Sequence, residues 1–124
     1  MSLADRTRDF SVRVISLCSA LPPTDAGRVI KPQLLRSATS PGAHFREAIR
    51  GRSRAEFVAK LNSGLMELEE TLYWLELVEA TGCLPQSRIK PLMQETKELI
   101  AIFVSLINRQ RSKPKKTASM TSTR

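Results

Sequence analysis

The sequence predicts an all-α protein, folded as an antiparallel up-down-up-down four-helix bundle. Apolar residues recur three and four apart in four separate stretches, helix start and stop signals fall between those stretches, and no stretch shows the alternation of a strand. At 124 residues there is room for one domain with one core. The bundle is expected over residues 1–110, followed by a disordered basic tail over residues 111–124.

The first stripe is Phe10, Val14, Leu17, Cys18 and Leu21, and Pro22-Pro23 ends it. Asp9 and Arg13, four apart, add an exposed ion pair. The second segment starts after Thr24 or Asp25, either of which can accept an orphan backbone N–H. It carries Val29, Ile30, Leu34, Leu35, Ala38, Phe45, Ala48 and Ile49. Pro32 falls near its first turns, Pro41-Gly42 predicts a kink or break, and Gly51 suits a left-handed closing residue.

The third segment has the clearest start, because Ser53-Arg54-Ala55-Glu56 has the spacing of a capping box. Its stripe is Phe57, Leu61, Leu65, Leu68, Leu72, Leu75 and Val78. Gly82 is the expected stop, with Leu84 folding back on the last turn. The fourth segment, about Ser87 to Gln110, carries one stripe of Leu92, Leu99, Phe103 and Leu106. A second, adjacent stripe is Ile89, Met93, Ile100, Val104 and Ile107. That face, and the third helix around Tyr73, Trp74 and Leu77, is wider than the ~100° a bundle helix needs. The surplus predicts assembly into a homo-oligomer.

Charge is segregated along the chain. Lys and Arg number 20 against 12 Asp and Glu, a formal charge of +8. Residues 61–87 hold only acidic charges, whereas residues 26–60 and 88–124 are strongly basic. A balance of this sign favours an anionic partner, RNA or DNA, since neutralised phosphates release counterions. The candidate phosphate ligands are Arg46, Arg50, Arg52 and Arg54 at the junction of the second and third helices. Arg109, Arg111, Lys113, Lys115 and Lys116 at the chain's end join them. Up-down topology puts both groups at one end of the bundle. Nothing interleaves aromatics with these cations, so no base-specific readout is expected.

Catalytic and metal-binding patterns are missing. His44 is the only histidine, no Gly-rich phosphate loop is present, and Glu67/Glu69/Glu70 lacks the Glu-x-x-His repeats of a di-metal bundle. The sequence therefore reads as a non-enzyme without metal or cofactor, with Glu67 and Glu70 contacting a neighbouring helix. Cys18 and Cys83 sit in apolar stretches and are read as small packing residues. Met1–Arg6 lacks the apolar core of a signal peptide and no run reaches membrane-spanning length, so a cytoplasmic protein is expected.

Gly27-Arg28-Val29, Gln33-Leu34-Leu35-Arg36-Ser37-Ala38-Thr39-Ser40 and Gly42-Ala43-His44-Phe45-Arg46-Glu47-Ala48 form one block of a resemblance. Ser53-x-x-Glu56-Phe57-Val58-x-Lys60-Leu61 and Glu67-x-x-Glu70-Thr71-x-Tyr73-Trp74-Leu75 form the other. Together they resemble the four-helix-bundle protein family of 23S ribosomal RNA intervening sequences, over about residues 8–108. That family is similar to the accessory variability determinant of diversity-generating retroelements, a homopentamer that binds nucleic acid and a reverse transcriptase. The resemblance thus implies a non-enzymatic pentamer with a reverse transcriptase as partner. Departures are His44, where the family usually has Asn, Pro41, where it has an apolar residue, and Pro32 inside the second helix. Two other functions fit the same residues: a scaffold docking an acidic protein, and a ribosomal RNA intervening-sequence protein of no established activity.

Overall fold

Ser2, Thr24 and Ser53 each turn a hydroxyl back to accept an orphan backbone N–H, from Asp5 at 3.1 Å, Gly27 at 3.2 Å and Glu56 at 3.1 Å. Three of the four helices begin at these caps. The computed structural model describes residues 1–114. They form α1 (Leu3–Ser19), α2 (Asp25–Ile49), α3 (Arg54–Ala80) and α4 (Gln86–Ser112), with no strand among the described residues. The Glu56 carboxylate departs from the reciprocal capping pattern: it accepts from the Arg52 N–H at 3.0 Å, one residue upstream of Ser53. Replacing Ser53 with Ala should lower stability by about 1 kcal/mol, read from a urea unfolding curve.

α3 closes as expected at Gly82, whose φ is +67°. The N–H of Gly82 donates to Glu79 O and that of Cys83 to Val78 O, both at 3.2 Å, the paired bonds of a left-handed helix stop. Gly51 is different. It does not adopt a positive φ, and what it supplies is room, since a Cβ there would lie 3.0 Å from the Ala48 carbonyl oxygen. At the chain's end, Arg111 and Ser112 belong to α4 and not to a tail. The helix stops at Lys113 because the following Pro114 drives that residue out of the helical region, to ψ 140°. The rest of the expected tail, including Lys115 and Lys116, lies outside the described residues.

α2 runs unbroken through Pro32 and Pro41, so the Pro41-Gly42 pair does not break the helix. A proline at 41 removes the donor that would reach Ser37 O, while nearby hydroxyls bond the neighbouring carbonyls. Thr39 Oγ1 donates to Leu35 O at 2.7 Å, Ser40 Oγ to Arg36 O at 2.7 Å, and Ser11 Oγ, from α1, to Ala38 O at 3.0 Å. Pro41 itself is buried against the rest of the bundle, so packing also holds the turn in place.

Each helix packs on two others, α1 on α2 and α4, α3 on α2 and α4, which closes a ring of four around a single core. The predicted α1 stripe is entirely buried. On α3 the buried positions are Leu61, Gly64, Leu68, Thr71, Leu75 and Val78, an alternation of three and four. Phe57, Leu65 and Leu72, which residue type alone places in that stripe, are only partly buried. Gly64 and Thr71 replace them for specific reasons. Gly64 faces the Phe103 ring, and the Thr71 hydroxyl lies 3.0 Å from that of Ser37 on α2. On α4, Ile89, Leu92, Met93, Leu99, Phe103 and Ile107 are buried, while Val104 is exposed.

Charged side chains tie the helices at their margins. Arg6 on α1 meets Glu95 and Glu98 on α4, each at 2.7 Å. Arg36 on α2 meets both Glu67 and Glu70 on α3, and Glu70 also accepts from Trp74 Nε1 at 2.9 Å. The expected contact of Glu67 and Glu70 with a neighbouring helix is therefore present. Cys18 is buried, while Cys83 is partly exposed, because the Gly82 turn carries it outward. Burial pushes the Cys18 thiol up to about 11, with nearby Lys31 opposing. Native protein at pH 8 should therefore alkylate at Cys83 and spare Cys18 until it is unfolded, as intact-mass analysis would register.

Candidate nucleic-acid interface

Most carboxylates of the folded part are already engaged. Asp9 pairs with Arg13, Glu47 with His44 and Lys60, Glu67 and Glu70 with Arg36, Glu79 with Lys90, and Glu95 and Glu98 with Arg6. These contacts leave their mark on protonation. The His44 and Lys60 contacts hold the Glu47 carboxyl below its usual range, and those from Gln94 and Arg6 do the same for Glu98. Hydrogen bonds to Glu95 and then Glu98 hold the Arg6 guanidinium more firmly protonated than usual. The junction arginines have no such carboxylate partners among the described residues, and Arg46, Arg50 and Arg52 are exposed.

The junction and the C-terminal end of α4 meet at Arg54, the first residue of α3. Its guanidinium forks onto two backbone carbonyls, Nη1 donating to Lys113 O at 3.1 Å and Nη2 to Pro114 O at 3.2 Å. Beside this fork runs a groove of about 1010 Å³. Arg52, Arg54, Arg111 and Lys113 line it together with Ala55, Val58, Ala59 and Asn62. The groove lies along the first turns of a 27-residue helix, whose free N–H groups and dipole add positive potential.

The other predicted ligands are dispersed. Arg46, on the last turn of α2, lines a separate groove between α1 and α2. Arg109 borders a shallow depression on α4 with Ala101, Ile102, Ser105 and Leu106. Arg50 is the exposed C-cap of α2 and lines none of these hollows. Arg8 is a cation that sequence reasoning missed: it shares the α1–α2 groove with Arg46, although residues 1–25 are neutral as a whole. No run or motif marks it, because only the packing of α1 on α2 brings it there.

The family model described as 23S rRNA-intervening sequence protein matches residues 1–105. The chain belongs to this family. A solved structure agrees with the fold: a protein with unknown function from the S23 ribosomal protein family of Bacteroides thetaiotaomicron VPI-5482 superposes with a TM-score of 0.80. It is 36% identical in sequence, and the match covers 86% of this chain and 98% of that one. No curated protein matches the chain. The family's four-helix bundle is thus shared, and no helix among the described residues is long and apolar enough to cross a membrane.

Proposed function

We propose that this protein is a non-enzymatic nucleic-acid-binding accessory protein, cytoplasmic, that grips phosphates at the end of the bundle where Arg54 meets the C-terminal end of α4. The observation that carries this reading is the Arg54 fork, which gathers Arg52, Arg54, Arg111 and Lys113 around one groove. Guanidiniums form their strongest hydrogen bonds with charged oxygens, and a phosphate outcompetes neutral carbonyls for them. In this reading the helices run up-down-up-down, antiparallel, as contacts between Thr7 and Gly42, Ser11 and Ala38, and Arg36 and Glu70 support.

The reading includes a homo-oligomer. Met66, 69% exposed, and Tyr73, 53% exposed, leave apolar surface on α3 that a second copy would cover. Pentamer stoichiometry and a reverse transcriptase as protein partner follow only from the likeness to the retroelement accessory protein. Sedimentation at micromolar concentration should give a species well above the 13.9 kDa protomer, and a clean monomer counts against assembly.

The deciding experiment is a salt titration of RNA and DNA binding. Replacing Arg50, Arg52 and Arg54 with Gln should weaken binding alike across sequences and flatten the logarithmic salt slope by about 2 for single strands. Removing residues 113–124 should act in the same direction while leaving α4 intact. Unchanged or salt-insensitive binding with both basic elements removed would refute the proposal. Family membership favours one second reading, a ribosomal RNA intervening-sequence protein with no activity beyond that element. Wild-type protein that binds neither RNA nor DNA would leave that reading standing, with a scaffold for an acidic protein beside it.

A further inference from the structure

Between α1 and α2 lies a second groove, of about 420 Å³, rimmed by Arg8 and Arg46. The helices approach closely there because Gly42 has no Cβ; one would sit 3.1 Å from Thr7 Oγ1. Ser11 turns its hydroxyl onto the Ala38 carbonyl at 3.0 Å, so the floor is small and its polar groups are satisfied. The rim is neither satisfied nor neutral. Arg8 and Arg46 are exposed and make no ion pair among the described residues, and no carboxylate lines the groove beside them. Two guanidiniums from facing helices thus share one shallow trough without a counter-charge.

Arg46 also connects this trough to the end groove. Arg50 follows it by four residues, on the same side of α2, and Arg52 follows in the link to α3. Cations therefore run in series from Arg8 through Arg46 and Arg50 to Arg52. We propose that the α1–α2 groove is a second phosphate site, which takes the sugar–phosphate backbone of a single nucleic-acid strand continuing from the end groove. This rests on the nucleic-acid reading above. A single strand can turn from one groove to the other freely, whereas a duplex, stiff over about 150 bp, must be bent at an elastic cost to follow the same path.

The test uses the full chain carrying Arg8→Gln and Arg46→Gln, with single strands of about 6 and about 20 nucleotides, lengths chosen to fill one groove or to span both. Circular dichroism should be unchanged, since both side chains are exposed and unpaired. The long strand should lose about tenfold in affinity and about 1.4 in salt slope, the share of two phosphates on a single strand. The short strand, held by the end groove, should bind almost as before, and a duplex of the longer length should show a smaller change in slope. Undiminished binding of the long strand, equal loss with both lengths, or equal flattening with the duplex overturns the proposal. An Arg52→Gln/Lys113→Gln variant separates the two ideas. Loss there without loss at Arg8 and Arg46 removes only the second site, and loss at neither removes the nucleic-acid reading as well.

Discussion

Replacing Phe103 with Ala should destabilise the bundle by about 3–5 kcal/mol. Phe103 is wholly buried on α4, and its ring lies 6.3 Å, centroid to centroid, from that of Phe45 on α2. It also fills the space that Gly64 leaves on α3, where a Cβ would come within 2.6 Å of the ring's Cε2. Truncation would therefore empty a cavity bordered by three helices at once, which none can close alone. The same geometry predicts a coupling. Gly64→Ala alone should cost about 1–3 kcal/mol by overpacking, because the buried ring has little freedom to swing away. Combined with Phe103→Leu, it should cost less than the two single changes added together. Guanidinium unfolding at one fixed protomer concentration gives all four stabilities, and strict additivity would show that the two positions do not share the space.

That pair also shows where the sequence is legible and where it is not. Helix number, caps and the Gly82 stop are local: Thr24, Ser53 and Glu56 act on backbone groups within four residues, so their spacing suffices to read them. Core membership is not local. Gly64 and Thr71 carry no hydrophobic signal, yet they are buried because Phe103 and Ser37 stand opposite, while Leu65 and Leu72, one residue away, turn partly outward. Pro41 misleads for a related reason, since its burial against the rest of the bundle is a tertiary fact that no local pattern carries. At the candidate interface, runs of charge and the up-down topology put Arg52, Arg54, Arg111 and Lys113 at one end of the bundle, but together with Arg46, Arg50 and Arg109. The division between grooves, with Arg46 joined to Arg8 and Arg109 set apart, depends on which helices touch.

Replacing Gly27 with Ala should destabilise the protein by about 3 kcal/mol, although helix propensity alone predicts a gain of about 1 kcal/mol for an interior position. Gly27 is the third residue of α2, and its N–H donates to the Thr24 cap at 3.2 Å. A Cβ on it would lie 1.9 Å from the Pro22 carbonyl oxygen and 3.1 Å from its carbon. The obstacle is backbone, so no rotamer change relieves it. The chain around Pro22 also has little freedom to withdraw, because Leu21 is buried on one side and Pro23 fixes its own φ on the other. Either the α1–α2 connection shifts, or α2 loses its first turn and the cap with it. Gly27→Ala should therefore lower the unfolding midpoint markedly while preserving helical content below the transition. A variant as stable as the parent, or more so, would show that the connection yields easily and that the glycine is there for no steric reason.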